Sequence, residues 1–435
     1  MYQRLRLWFR NNQGWVLSTK YIVYSVMLLI LVSLIDLRVL DIERFIPDFF
    51  FMSVDLSKAL LTTLASAMLT ITTFTFSTVL TVLTTYSSSY SPRIIGNFAN
   101  KKITMQVLGI FVGGFFYCIT SLFTMRNSFF EADGVIAGSV GILYAISCMV
   151  YFVLFVHQVI YSIRPVNVIS EIYEEALKVI RGEVAKREES IAWATEEYSH
   201  TYSIYADSTG YLSVIDTERL IALLEKVEGT LTIEQCIGNY VVQGFQLAKL
   251  YTHTTMEEDA LSELATAFLY QEEKFEEEDY RYSITKLVEI ALRAISPGIN
   301  DPNTAIHCLN KIAILLGRLF TCDYAYIVRH DGEHMNIVYK GYSIYDDLYA
   351  TYHQIVHYGK NDPSVMGALL EGLVTTYMMA SEKPRETILT YYKSVYDIAL
   401  TNATDASAKR HFESINRRFR CLDADLVNTD VMEEE

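Results

Sequence analysis

Seven hydroxyl side chains, Ser66, Thr70, Thr73, Ser77, Thr81, Thr84 and Ser88, recur at spacings of 4, 3, 4, 4, 3 and 4 in a stretch with no charge between Lys58 and Arg93. On a helix that spacing draws one continuous line. It runs roughly 33 Å at 1.5 Å per residue, enough to cross the hydrocarbon core of a bilayer. A ladder of that length has two uses. Small hydroxyl residues let membrane helices approach closely and bond across the gap, at roughly 0.6–2 kcal/mol per contact. Alternatively, several copies of the helix surround an axis, and the hydroxyls replace part of an ion's hydration without trapping it. Thr63, Thr72, Thr75, Thr78 and Thr85 widen the polar sector beyond a single packing seam. The ladder is therefore a candidate pore lining. Arg93, just beyond Pro92, is a candidate for the pore mouth, or else a positively charged anchor at the inner surface.

The ladder needs membrane helices to carry it, and four segments suit. They are Tyr21 to Leu40, then 59–92, 103–125 and 134–163, each about 20 or more mostly apolar residues. Gly109-x-x-x-Gly113 and Gly134-x-x-x-Gly138 mark places where helices approach closely. Overall, 51% of the 435 residues are hydrophobic and mean hydropathy is +0.20, too apolar for a plain soluble chain. Charge is split. Residues 1–164 hold 12 Lys and Arg against 7 Asp and Glu, net +5; the remainder hold 24 against 44, net −20. Lys and Arg concentrate in the N-terminal tail (Arg4, Arg6, Arg10, Lys20), the second connection (Arg93, Lys101, Lys102) and after the fourth span (Arg164). The positive-inside rule then places both termini in the cytoplasm. The acidic remainder argues against a nucleic-acid partner and for a surface that attracts cations.

Six cysteines (Cys118, Cys148, Cys236, Cys308, Cys322, Cys421) show no paired spacing, so neither a zinc cluster nor a disulfide framework is expected. His353 and His357 fall four apart on a predicted helix, and His330 and His334 bracket a turn, but no third ligand is marked; no metal and no cofactor are expected. No nucleophile elbow, P-loop or dinucleotide fingerprint appears, so no catalytic residue is assigned and an enzyme is not expected.

The predicted organisation is an amphipathic interfacial segment at 1–20, a four-helix transmembrane domain at 21–164, an α+β subdomain at 165–280, a mainly helical subdomain with one hairpin at 281–424, and an acidic tail at 425–435. In fold class this is an α-helical membrane protein with four transmembrane helices followed by a mixed α+β cytoplasmic domain. Within 165–280, a charged helix runs to about Ala194. YSIYA and GYLSVI read as a strand pair around Asp207 to Gly210. TLTIEQCIGNYVVQGFQLAKLY reads as two short strands whose glycine pattern is similar to barrel-sandwich domains, without their attachment lysine. Further on, LVEIALRAISPGINDPNTAIHCL joins two helices by a tight corner, with Asp301 as N-cap and Pro302 in the first turn. Ser296, Asn300 and Asp301 are the candidate ligand-binding groups there, against the simpler reading that Asp301 only caps.

The segments FSTVLTVLTTYSSSYSPR, QVLGIFVGGFFY, GYLSVID, GNYVVQGFQL and above all LVEIALRAISPGINDPNTA resemble a prokaryotic membrane-protein family, domain of unknown function 2254, over about residues 15–420. The resemblance implies four spans, a large cytoplasmic domain and a place in the plasma (inner) membrane. It implies no chemistry. The second span is richer in Thr than the family pattern. Taken together, the expected function is a homo-oligomeric channel whose partners are its own copies, the lipid bilayer and inorganic ions, with the acidic domain as vestibule or regulator. The alternative is a membrane-anchored, non-enzymatic scaffold or ligand sensor.

Overall fold

The computed structural model describes residues 13–40, 45–94, 101–125, 134–188, 197–224, 227–274, 279–322, 326–331 and 335–433. Most of the 1–20 segment, His334 and the middle of the acidic EEKFEEED run lie outside them. The chain divides into two compact units, Met1–Asn167 and Val168–Glu435.

The first unit consists of four long helices: α1 (Gln13–Asp36), α2 (Val54–Ser89), α3 (Lys102–Thr124) and α4 (Ala137–Ile163). All four are long and apolar enough to cross a membrane. Ser53 caps α2, accepting the Leu56 N–H at 3.4 Å, and Asp55 sits in its first turn where the helix dipole favours negative charge. The helix ends at Ser89, before Pro92 and the 3-10 turn Pro92–Ile94. At 36 residues it is roughly 54 Å long. Half of the span of α3 is buried, against 17% of that of α2, so α3 is the hub and α2 lies at the edge. Glycine explains how the hub is approached: a Cβ on Gly109 would stand 2.6 Å from the Ser18 carbonyl oxygen, and one on Gly113 would collide with the Ser25 hydroxyl. Gly138 makes room in the same way for Ser57 of α2. Asp36, at the end of α1, accepts the Ile136 N–H at 2.8 Å and the Ala137 N–H at 3.3 Å, capping α4 from a distant part of the chain.

The second unit begins within α5 (Pro165–Glu188), which is described only to Glu188. Two sheets follow. One has the order β1-β5-β3-β8-β7, from His200–Tyr205 (β1), Gln246–Thr252 (β5), Gly229–Ile233 (β3), Met335–Lys340 (β8) and Tyr326–Asp331 (β7). The other has the order β4-β2-β6, from Tyr240–Val241 (β4), Gly210–Ile215 (β2) and Phe268–Gln271 (β6). Short helices α6 (Thr217–Leu224) and α7 (Glu258–Ala265) flank them. Leu212, Leu220, Leu231, Leu250, Phe268 and Ile337 form their shared core.

Two expectations are corrected here. YSIYA and GYLSVI are strands but do not pair with each other: β1 pairs with β5, and β2 with β4 and β6. Their link is bonded across to the loop before β5, through Ala206 N–H to the Phe245 carbonyl at 2.8 Å and Gly244 N–H to the Ala206 carbonyl at 2.9 Å, so the chain crosses between sheets instead of folding back. The segment read as two strands holds three, β3, β4 and β5, with Gly238 and Gly244 at positive φ between them. β8 pairs in parallel with β3, so the larger sheet draws strands from both sides of residue 280.

The rest is helical: α8 (Tyr280–Ala294), α9 (Pro302–Leu319), α10 (Ile344–Gly359), α11 (Pro363–Met379), α12 (Glu382–Asn402) and α13 (Ala406–Glu433). Leu309, Ile312, Leu316, Leu369, Leu373 and Tyr392 lie in their interior. The chain from 425 to 433, expected as a tail, continues α13.

Candidate functional site

The ladder lies on the outside of its own unit. Ser66, Thr70, Thr73, Ser77, Thr81, Thr84 and Ser88 are all exposed, whereas Leu61, Met68, Thr75, Val82 and Tyr86, across the helix from them, are buried. At 100° per residue the two sets are opposite faces. The packed face is fixed at its end by tyrosine: Tyr86 donates to the Ser162 carbonyl at 2.7 Å and Tyr90 to the Ile163 carbonyl at 3.0 Å. Six of the seven ladder hydroxyls bond within their own helix. Ser66, Thr70, Thr73, Thr81 and Thr84 each donate to the carbonyl four residues back, at 2.8–3.2 Å, and Ser88 to the carbonyl three back at 3.2 Å. Exposed Leu69, Phe74, Phe76 and Leu80 flank the line. The face is thus a polar stripe with apolar borders. Arg93 is exposed in the turn that follows.

The close helix contacts of the unit run through glycines and not through the ladder. The wider hydroxyls divide between environments: Thr75 is buried, Thr63 exposed, and Thr72, Thr78 and Thr85 half-buried.

The corner residues lie in the other unit. Asp301 caps α9, accepting the Thr304 N–H at 3.2 Å and the Thr304 hydroxyl at 2.6 Å. Ser296 donates to the Arg293 carbonyl at 2.7 Å, and Asn300 turns the chain at a φ of 51°. These polar groups shape the corner. His353 stacks on Tyr349 at 4.3 Å, and His357 stands edge-on to Tyr358. No group of three or more His, Cys, Asp or Glu side chains able to hold a metal occurs among the described residues.

A cluster that the sequence did not mark lies where α5, α8, α10 and the end of β8 meet. Asp347, 2% exposed, accepts from Arg281 Nε at 2.5 Å and from the Tyr280 hydroxyl at 3.0 Å. The Arg281 guanidinium lies 3.2 Å from the centre of the Tyr342 ring, and Tyr342 donates to Asn239 Oδ1 at 2.5 Å. Buried Arg187 pairs with Glu183 at 3.1 Å. Burial pushes the Asp347 carboxyl above the usual range, against the opposing pull of Arg281. Asp279, which caps α8, is raised by the same cause. Next to the cluster is a pocket of about 130 Å³ whose walls include Tyr280, Tyr339 and Tyr342. Its residues come from 183–186, 215–217, 235–237, 279–280 and 339–342, too scattered for any spacing rule to assemble.

Residues 11–375 match the family model described as "Predicted membrane protein (DUF2254)". The chain belongs to this family. Relatives of the DUF2254 chain include uncharacterized proteins of Mycobacterium bovis and of two strains of Mycobacterium tuberculosis, each 24% identical over 335 residues. The match covers 72% of this chain and 62% of each relative, so the chain spans about three-fifths of their length. No solved structure matches. DUF2254 membership makes this a predicted membrane protein and agrees with its four membrane-length apolar helices.

Proposed function

We propose that the protein is a homo-oligomeric membrane channel in which α2 of each copy turns its hydroxyl ladder toward a shared ion pathway. Its setting is the plasma (inner) membrane of a prokaryote, both termini are cytoplasmic, and the acidic second unit is a regulatory region. One observation carries this reading: the protomer packs the opposite face of α2 and leaves all seven ladder residues exposed. In a bilayer an uncovered face meets lipid or another copy. A polar line of roughly 33 Å bordered by Leu69, Phe74, Phe76 and Leu80 suits a helix whose borders touch neighbours and whose centre touches water. The back-bonded hydroxyls keep their oxygens available to a passing cation, and Arg93 stands one turn beyond the ladder.

The test is cysteine substitution at Thr73, Ser77 and Thr81 in protein reconstituted into planar bilayers. A water-soluble thiol reagent should alter conductance through each variant. The parent, in which the membrane-helix cysteines Cys118 and Cys148 are buried, should be unaffected. Absence of conductance, together with unreactive cysteines, removes the proposal.

The pocket in the second unit speaks for a second reading, a membrane-anchored sensor whose helices only anchor it. Ligand binding and bilayer current, measured on the same full-length protein, separate the two: the sensor binds its ligand and carries no current.

A further inference from the structure

The pocket beside the Arg281–Asp347 cluster has the rings of Tyr280, Tyr339 and Tyr342 and the aliphatic side chains of Ile215 and Ile237 among its walls, with polar and charged groups between them. The rings of Tyr280 and Tyr342 meet edge to face, 6.5 Å between centres at 81°. A cavity of roughly 150 Å³ accepts benzene; at about 130 Å³ this pocket has room for one aromatic ring.

Its polar groups mostly have partners already. Thr217 and the Tyr339 hydroxyl share a hydrogen bond of 2.6 Å, the Tyr342 hydroxyl bonds Asn239, and the Tyr280 hydroxyl bonds Asp347. Glu183 accepts from Arg187, and Lys340 pairs with Glu234. Cys236 bonds the Lys340 carbonyl at 3.1 Å, and burial pushes its thiol up to about 11, which keeps it protonated at neutral pH. The Asp279 carboxylate accepts the Tyr282 N–H at 3.0 Å, with Lys274 and Arg281 adding positive potential, and it packs directly on Gly238, where a Cβ would collide with it. Lys186 differs. It lines the pocket, is exposed, and makes no hydrogen bond or ion pair among the described residues.

We infer that the pocket binds a planar, single-ring anion, with the ring against the three tyrosines and a carboxylate or phosphate on the Lys186 ammonium. Aromatic walls supply area and edge-to-face contacts, and the Lys186 ammonium supplies a charge-assisted bond. The carboxylates nearby are already answered: Glu183 by Arg187, Asp347 by Arg281, and Asp279 by backbone N–H. An aromatic carboxylate and a pyrimidine nucleoside monophosphate share this chemistry. The inference holds whether the first unit conducts ions or only anchors the chain.

The test is calorimetric titration of the full-length protein in detergent micelles with 4-hydroxybenzoate, uridine monophosphate and benzylamine in turn. At least one anion should bind saturably, and which one does identifies the source. Benzylamine, a ring of the same size with the opposite charge, should not bind. Lys186→Glu should weaken the anion about tenfold or more, and Lys186→Arg should retain it. Lys186 is exposed on α5, so neither exchange threatens the fold. The inference fails if neither anion binds the parent protein, if benzylamine binds as well as the anions, or if Lys186→Glu leaves anion affinity unchanged.

Discussion

In α2, the hydroxyl protons of Thr70, Thr73, Thr81 and Thr84 go to carbonyls four residues back on the same helix. In the second unit, Arg281 and Tyr280 bond Asp347, 66 and 67 residues away. A local bond survives whatever surrounds the helix, so a hydroxyl costs little on any face. A distant bond exists only when the fold brings its partners together, and there the same polar chemistry becomes a condition for stability. The largest effect should therefore come from breaking the second kind.

Asp347→Ala leaves the Arg281 charge without its carboxylate in a mostly buried site, with an expected loss of about 3–5 kcal/mol in chemical denaturation. Removing both charges as Asp347→Leu with Arg281→Met should recover much of that loss, because the cost lies in the orphaned charge. The pH dependence has a definite sign. The folded values of Asp347 and Asp279 are raised, so their contribution to stability is present below the ordinary carboxylate range and is lost as pH rises through the folded values. Asp347→Asn should flatten that part of the stability profile. An unchanged slope would show that burial does not govern this carboxyl.

The same contrast explains what the sequence discloses. Asp301, Pro302 and Thr304 are neighbours in the chain, and the cap they form was readable because its geometry needs nothing else. The four long helices were legible for a similar reason: length and apolarity are local properties. That the ladder would lie outside its unit was not legible, since spacing shows that residues share a face and not what the face meets. The buried cluster was less so. Nothing in Tyr280-Arg281 announces Asp347, and nothing in the GYLSVI segment announces that its partners are β4 and β6. The alternation that marks a strand is silent about which strand it pairs with.

Between the extremes lies the packing of the first unit, where close backbone approach at glycines accompanies hydrogen bonds between helices. Gly109→Leu places a side chain against the Ser18 backbone and should cost about 1–3 kcal/mol, seen as a lower unfolding temperature in detergent. Tyr86→Phe removes the buried hydrogen bond to the Ser162 carbonyl, and a loss near 1 kcal/mol is expected. If Tyr86→Phe matched Asp347→Ala in size, the distinction between the two units would collapse.

The smallest expected effect on folding is that of Thr73→Val. Valine keeps the shape of threonine and loses only its hydroxyl, which is exposed and bonds the Leu69 carbonyl of its own helix. That carbonyl already takes part in the helix ladder, so stability should change by less than about 0.5 kcal/mol. Conductance is where the substitution can register. If water and ions pass along the ladder, Thr73→Val combined with Thr81→Val removes two rungs of wetted lining and should lower single-channel current while the unfolding temperature stays fixed. If the ladder meets only lipid, neither quantity moves, because a back-bonded hydroxyl and a methyl are both tolerated there. A fall in stability of more than about 1 kcal/mol would be a third outcome, placing Thr73 in a packed contact between copies. Measured on one sample, stability and current together sort a wetted face from a lipid face and from a packed one.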